Sequence, residues 1–292
     1  MRILRAITGR RSGVIGFTLM GSLAMAALLA PSLATADPFA ITGQALEPPS
    51  SSHLMGTDAL GRDLFSGVVH GARTSLALAL FGGLLAFLCG TAVGLVAGYH
   101  GGIVDDALMR VTELFQVMPR FFLVVVAIAL FGPGPDRVVL ILGLTSWAVL
   151  ARVVRTEVLA TRNLEFVLSS EALGASRTHL LLRVLLPHVL PAALVMLGLV
   201  FGQLLLIEAS VGFIGLGDPG ALTWGVLAGQ AQGYMRSAWW LSLFPGLAIT
   251  TAVIAFNLLA DAVADIVRTG YGTATAVTAP SLMVPPAAAT EI

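Results

Sequence analysis

The side chains that could do chemistry in this sequence are the few polar ones set inside long apolar runs. Glu208 lies within LLLIEASVG, five residues after Gln203. Asp106, Arg110, Glu113, Gln116 and Arg120 form a second set; at about 100° per residue they share roughly a third of a helix circumference. Asn257, Asp261 and Asp265, spaced by four, share one helix face. Charge at membrane depth is costly and usually faces a bundle interior or a watery cavity. Glu113, Arg120, Gln203, Glu208 and Asn257 are therefore the expected pathway residues. A solvated stripe outside lipid accounts for Asp106 and Arg110 equally well but not for Arg120. Glu208 suits either a pathway or a structural hydrogen bond to a neighbouring helix.

Composition sets the solvent for these groups. Of 292 residues, 57% are hydrophobic and 11% charged, with a mean hydropathy of +0.92. Such a chain uses lipid as its solvent, so an all-α, multi-span membrane protein is expected. Every one of the sixteen basic residues is Arg. A phosphate-cradling Walker A loop needs Lys, so the chain supplies no standard ATP site and is not expected to be an enzyme. Zero net charge gives no case for nucleic acid. Cys89, the single cysteine, excludes an intrachain disulfide, and no His cluster, metal site or cofactor site is evident.

Six apolar spans must position the polar residues. Residues 1–12, with Arg2, Arg5, Arg10 and Arg11, precede a first span over 13–34. That run ends in Ala34-Thr35-Ala36, which also reads as a signal-peptide cleavage site; at about 20 residues it is long enough to span and is expected to be retained. Residues 35–73 form an outer loop with an interfacial helix, capped at Thr57 or Asp58. A five-span core covers 74–268. Its first span carries Gly82, Ala86, Gly90, Gly94 and Gly98, a small-residue ridge for close helix packing. Pro119 should kink the next span. Gly217 to Arg236 reads as an outer connection, and Trp239 and Trp240 as interfacial anchors. Residues 269–292, rich in Ala, Thr and Pro, read as a disordered tail. With both ends inside, eleven arginines fall on inner segments and four on outer ones (Arg62, Arg73, Arg137 and Arg236), leaving Arg120 at depth.

Between the fourth and fifth spans, residues 158–190 contain LEFVLSSEALGASRTHLLLRVLLPHVLP: a short helix, a Gly turn and a second, basic helix. By itself this is either an ordinary interfacial loop or a docking element. Gly174, nine residues, then Val184-Leu185-Leu186-Pro187 resembles the cytoplasmic loop of ATP-binding-cassette importer permeases, written Glu-Ala-Ala, three residues, Gly, nine residues, Ile-x-Leu-Pro. Here Val184 stands for the Ile, the triplet falls on Leu168-Ser169-Ser170, and Glu171-Ala172 is out of register. Gly56-Thr57-Asp58, Gly61-Arg62-Asp63, Gly71-Ala72-Arg73, Phe244-Pro245-Gly246 and Ala255-Phe256-Asn257-Leu258-Leu259 resemble the dipeptide, oligopeptide and nickel branch of that family.

The resemblance implies a type I importer permease fold, with a coupling helix between spans 4 and 5. It implies a bacterial inner-membrane protein with both termini cytoplasmic. The implied partners are a second homologous permease chain, two cytoplasmic ATP-binding subunits, an external substrate-binding protein and membrane lipid. ATPase coupling would fall on Leu168, Ser169, Ser170, Glu171, Ala172, Gly174, Ala175, Ser176, Arg177 and Pro187. The cargo would be a peptide-like or other small solute. Two other classes stay open from the residues alone. Gly215-Leu216-Gly217-Asp218 matches the Gly-x-Gly-Asp string of membrane aspartyl proteases, which need a second Asp at depth. A self-sufficient secondary transporter would need repeated broken helices.

Overall fold

The computed structural model describes the backbone of residues 11–218 and 220–275, with side chains over 13–218 and 220–266. It is helical throughout: α1 (Arg11–Leu28), α2 (Ala30–Leu33), α3 (Leu64–His100), α4 (Gly102–Val117), α5 (Arg120–Phe131), α6 (Pro135–Thr161), α7 (Glu165–Ala172), α8 (Arg177–His179), α9 (Leu186–Phe213), α10 (Trp224–Gln230) and α11 (Trp240–Thr275). A π turn, Leu180–Leu185, joins α8 to α9. Four stretches are long and apolar enough to cross a membrane: α3, α6, the run from α8 through α9, and α11. α4 and α5 meet at 79° and make a fifth if they count as one broken span, while the apolar part of α1, Gly13–Leu28, is shorter.

The centre of the bundle is the crossing of α3 and α6. A Cβ on Gly90 would lie 2.7 Å from the Trp147 carbonyl oxygen, and one on Gly94 2.5 Å from that of Ala151. On Gly98 it would lie 2.7 Å from the Val158 Cβ. Only glycine permits this approach, so the small-residue ridge packs as its spacing predicts. Leu150, Ala151, Val154 and Val158 are fully buried beneath it. α9 crosses α11 in the same way, with Gly198 against Ala260 and Gly202 against Val253.

Several boundaries differ from the sequence reading. The interfacial helix is the first part of α3, which is 37 residues and roughly 55 Å long. Its cap is Asp63, whose side chain accepts from the Ser66 N–H, and not Thr57 or Asp58. Those two residues serve a folded cap over 35–63: Asp58 accepts from the Leu60 and Arg62 N–H groups, and Thr57 donates to the Gln44 carbonyl. Trp240 is a buried pillar rather than an interfacial anchor; it lies under this cap and donates to the Thr57 carbonyl at 3.2 Å, while Trp239 is exposed. Pro119 breaks its helix outright, because the residue before a proline is pushed from helical to extended backbone, as Met118 is. The outer connection folds back as α10, where Trp224 is 1% exposed and donates to the Val68 carbonyl at 2.9 Å. Residues 269–275, assigned to the tail, continue α11; 1–10 and 276–292 lie outside the described residues.

Asp63 ties the cap to the bundle. It accepts from Thr35 Oγ1 and Ser66 Oγ and faces His53 Nδ1 at 3.1 Å. Burial alone would raise its pKa, but the hydrogen bonds from Ser66, Thr35 and His53 outweigh it and hold the carboxyl below its ordinary 3.8. The stabilisation is therefore present above pH 3.8 and is lost as pH falls through the lower folded value.

Two outcomes follow. Gly94→Leu should destabilise the purified protein by about 1–3 kcal/mol in thermal unfolding, through overpacking against Ala151, whereas Gly21→Ala, in open space, should be nearly neutral. Asp63→Ala should weaken cap attachment by about 1–2 kcal/mol, read as faster proteolysis within 35–63 with the spans intact.

Candidate coupling loop and polar track

The loop after α6 is held on one side and bare on the other. Leu164 sits at the N-cap with extended backbone but has no side-chain acceptor, so α7 starts without a side-chain cap. Val167 is buried in the main core with Leu185, and Phe166 packs against that cluster while stacking on the His188 ring at 4.5 Å. The opposite face shows Leu164, Leu168, Ser169, Glu171 and Ala172 to solvent, and Leu173 is 88% exposed. Ser170 is half-buried because its hydroxyl donates to the Phe166 carbonyl. An apolar patch on a short projecting helix is the usual mark of a protein-docking surface.

Gly174 ends α7. Its N–H donates to the Glu171 carbonyl and the Ala175 N–H to that of Ser170, which is a Schellman closure, and its φ is +83°. No atom lies within 4 Å of where a Cβ would sit, so conformation alone selects glycine. Ser176 then caps α8 by accepting from the His179 N–H, and Arg177 is exposed. Pro187 cannot donate a helical bond to Arg183, and its ring crowds that carbonyl; the chain widens into the π turn directly before it. Thus the segment from Leu168 to Pro187, which holds all ten residues expected to couple, forms one turn-rich unit.

Three polar ties join α6, the helix that leads into this loop, to the neighbouring helices. Arg155 on α6 donates two bonds to Asp105 at the start of α4, at 2.6 and 2.5 Å. Arg162 reaches the Gly98 carbonyl at the end of α3, at 2.9 Å. Gln116 donates to the Ala148 carbonyl across α4 and α6, at 3.1 Å. The Asp105–Arg155 pair was not singled out in sequence, because only the fold brings residues fifty positions apart together.

Of the expected pathway residues, the structure pairs two directly. Arg120 Nη1 donates to Gln203 Oε1 at 2.9 Å, joining α5 to α9. Arg120 is half-buried and Gln203 exposed on the surface of this single chain. Asn257 lies beside Gly202, 3.5 Å from where its Cβ would be, and donates to its own Val253 carbonyl. Glu113 is exposed and unpaired. Glu208 stands apart at 7% exposure under Thr223, the residue whose hydroxyl caps α10.

The Gly-x-Gly-Asp string is a second Schellman turn. Gly215 has φ +83°, the Leu216 N–H donates to the Val211 carbonyl, and Asp218 accepts from the Gly220 N–H. Asp218 makes no hydrogen bond to a second carboxylate among the described residues, although Glu208 lines the same small cavity. One broken helix occurs among the described residues, not the repeated pair of a secondary transporter. No group of three metal-ligating side chains occurs among them either.

Comparison with known proteins agrees with this geometry. Residues 90–271 match the family described as binding-protein-dependent transport system inner membrane component. A dipeptide transport system permease protein of Bacillus subtilis is 34% identical over 267 residues, covering 89% of this chain and 82% of that protein. A glutathione transport system permease protein of Pectobacterium atrosepticum is 36% identical over 220 residues, covering 75% and 73%. The inward-facing MetNI methionine transporter has the same fold over 70% of this chain and 97% of its own, with a TM-score of 0.60 at 21% identity. The chain belongs to the binding-protein-dependent transport system inner membrane component family and is a membrane permease subunit of an ATP-binding-cassette importer.

Proposed function

We propose that this permease imports a peptide-like solute in an assembly with a second homologous permease chain, two cytoplasmic ATP-binding subunits and an external substrate-binding protein. The peptide class is supported by relatives named for dipeptide and glutathione transport. The bias of arginines toward one side favours a bacterial inner-membrane orientation with both termini and the α7 loop in the cytoplasm.

The observation that carries the coupling role is α7 itself, a short helix whose bare apolar face ends at a positive-φ glycine. In this reading the ATP-binding subunit receives Leu168, Ser169, Glu171, Ala172 and Leu173. ATP binding moves α7, and the π turn carries the motion into α9. The ties Arg155–Asp105 and Arg162–Gly98 carry it into α4 and α3. The break at Met118-Pro119 lets α5 swing against α4 as a hinge. Arg120, Gln203 and Asn257 then line the path for a solute rich in carbonyl and carboxylate oxygens, with Glu113 at its loop end. The chain itself does no hydrolysis; energy enters through the docked partner.

Gly174→Val should reduce transport and transport-stimulated ATP hydrolysis together in reconstituted complex, with weaker retention of the ATP-binding subunits and normal insertion. Gly174→Ala should be milder, near 1 kcal/mol of turn strain, since no atom crowds the site. Ser169→Ala, on the bare face but outside the turn, should matter less. Transport at the parent rate by Gly174→Val at equal expression would overturn the coupling role, as would its failure to insert.

A separate check concerns the path. In a Cys89→Ser background, cysteine at 120 or 203 should react with a water-soluble thiol reagent in one transport state and be protected in the other. Cysteine at 208 should stay protected in both, because Glu208 is buried beneath α10. Lipid-like protection of 120 and 203 in every state would remove them from the path.

A further inference from the structure

A cavity of about 540 Å³ lies between α1, α3, α9 and α11, away from the Arg120–Gln203 pair and from the loop. Met20, Leu80, Phe201, Phe256 and Leu259 line it, and every other lining side chain is apolar except Arg73. Arg73 is exposed and has no hydrogen-bond or ion-pair partner among the described residues. It sits nine residues into α3, roughly 14 Å below the cap. Helix α3 exceeds a bilayer's hydrocarbon thickness by roughly 25 Å; shared between its two ends, that excess is about 12 Å at the cap side and places Arg73 at the hydrocarbon boundary.

The contents must be apolar along their length and anionic at one end. A peptide would leave its backbone polar groups unpaired against these walls. A helix from another chain is too thick. A cylinder of 10 Å diameter rising 1.5 Å per residue fills roughly 120 Å³ per residue, so the cavity would hold fewer than five residues of it. An acyl chain is narrow enough, and a phosphate beside Arg73 completes the pairing.

The geometry points to a phospholipid site inside this permease: one acyl chain of an anionic phospholipid fills the cavity, its phosphate pairs with Arg73, and the lipid mortars α1 to the core. The site does not depend on the transported solute or on the coupling role of α7.

The test uses the whole complex, exchanged through delipidating detergent and then equilibrated with mixed phosphatidylglycerol and phosphatidylcholine nanodiscs, with retained lipid measured by mass spectrometry. The parent should retain phosphatidylglycerol over phosphatidylcholine by about fivefold, the effect of one interfacial arginine. Arg73→Gln should keep a bound lipid but lose the headgroup preference, and Arg73→Lys should restore it. Ala77→Phe should displace the lipid; Ala24→Phe, filling the cavity from α1, is the substitute if that variant does not assemble. Equal retention by the parent and the filled variants would overturn the site. Cross-linking of an Ala77→Cys variant to the second permease chain, in the Cys89→Ser background, would also overturn it and assign the cavity to a protein contact.

Discussion

Everything at the loop side of this permease depends on how closely α3 and α6 approach. Along Gly90, Gly94 and Gly98 the α3 backbone meets α6 carbonyls and the Cβ atoms of Leu150, Val154 and Val158, with no α3 side chain between them. That separation lets Arg162 reach the end of α3 and sets where Arg155 meets Asp105 on α4, the helix that follows α3. In lipid, apolar side chains gain little by leaving one apolar environment for another, so helix pairs rely on close van der Waals contact. Glycine supplies it here at the expense of local helix propensity, which matters less in a membrane, where every backbone group must be internally bonded anyway.

The two ends of the bundle solve different problems. At the cap end, buried polar groups are densely bonded: Asp63, Thr57 and Asp58 each take several bonds, and Trp240 and Trp224 fill the space under the cap and α10. At the loop end, α7 is fixed by Val167 and Phe166 and leaves its other face bare. A densely bonded surface at one end and a bare one at the other fit the assembly proposed above, with a partner at each end.

Much of this was legible from residue types. Four of the six expected spans follow from hydropathy, the α3 ridge from its four-residue spacing, and the Gly174 turn from a lone glycine between two helical patterns. The loop was also recognisable through its Gly and Leu-Pro spacing although its triplet departs from the family pattern. Long-range contacts were not legible. Asp63 as the cap requires knowing that Thr57 and Asp58 are consumed by the 35–63 fold. Burial of Trp240 beside an exposed Trp239 depends on which face the cap covers. Helix α10 looked like a loop because it is only seven residues long and gains its order by packing on α9, where Gly212 and Gly225 allow contact. Arg120 and Gln203 were each visible as polar groups at depth; their pairing across 83 positions was not.

The π turn at Leu180–Leu185 gives the connection between loop and span a geometric property of its own. A π turn holds one residue more than an α turn for the same progress along the axis. That spare residue is slack. Passing it along the helix rotates the segments on either side by about 100° relative to each other while nearly every backbone bond is re-formed. In the coupling proposed above, the join would serve as a swivel rather than a hinge, converting a push on α7 into torque about the axis of α9.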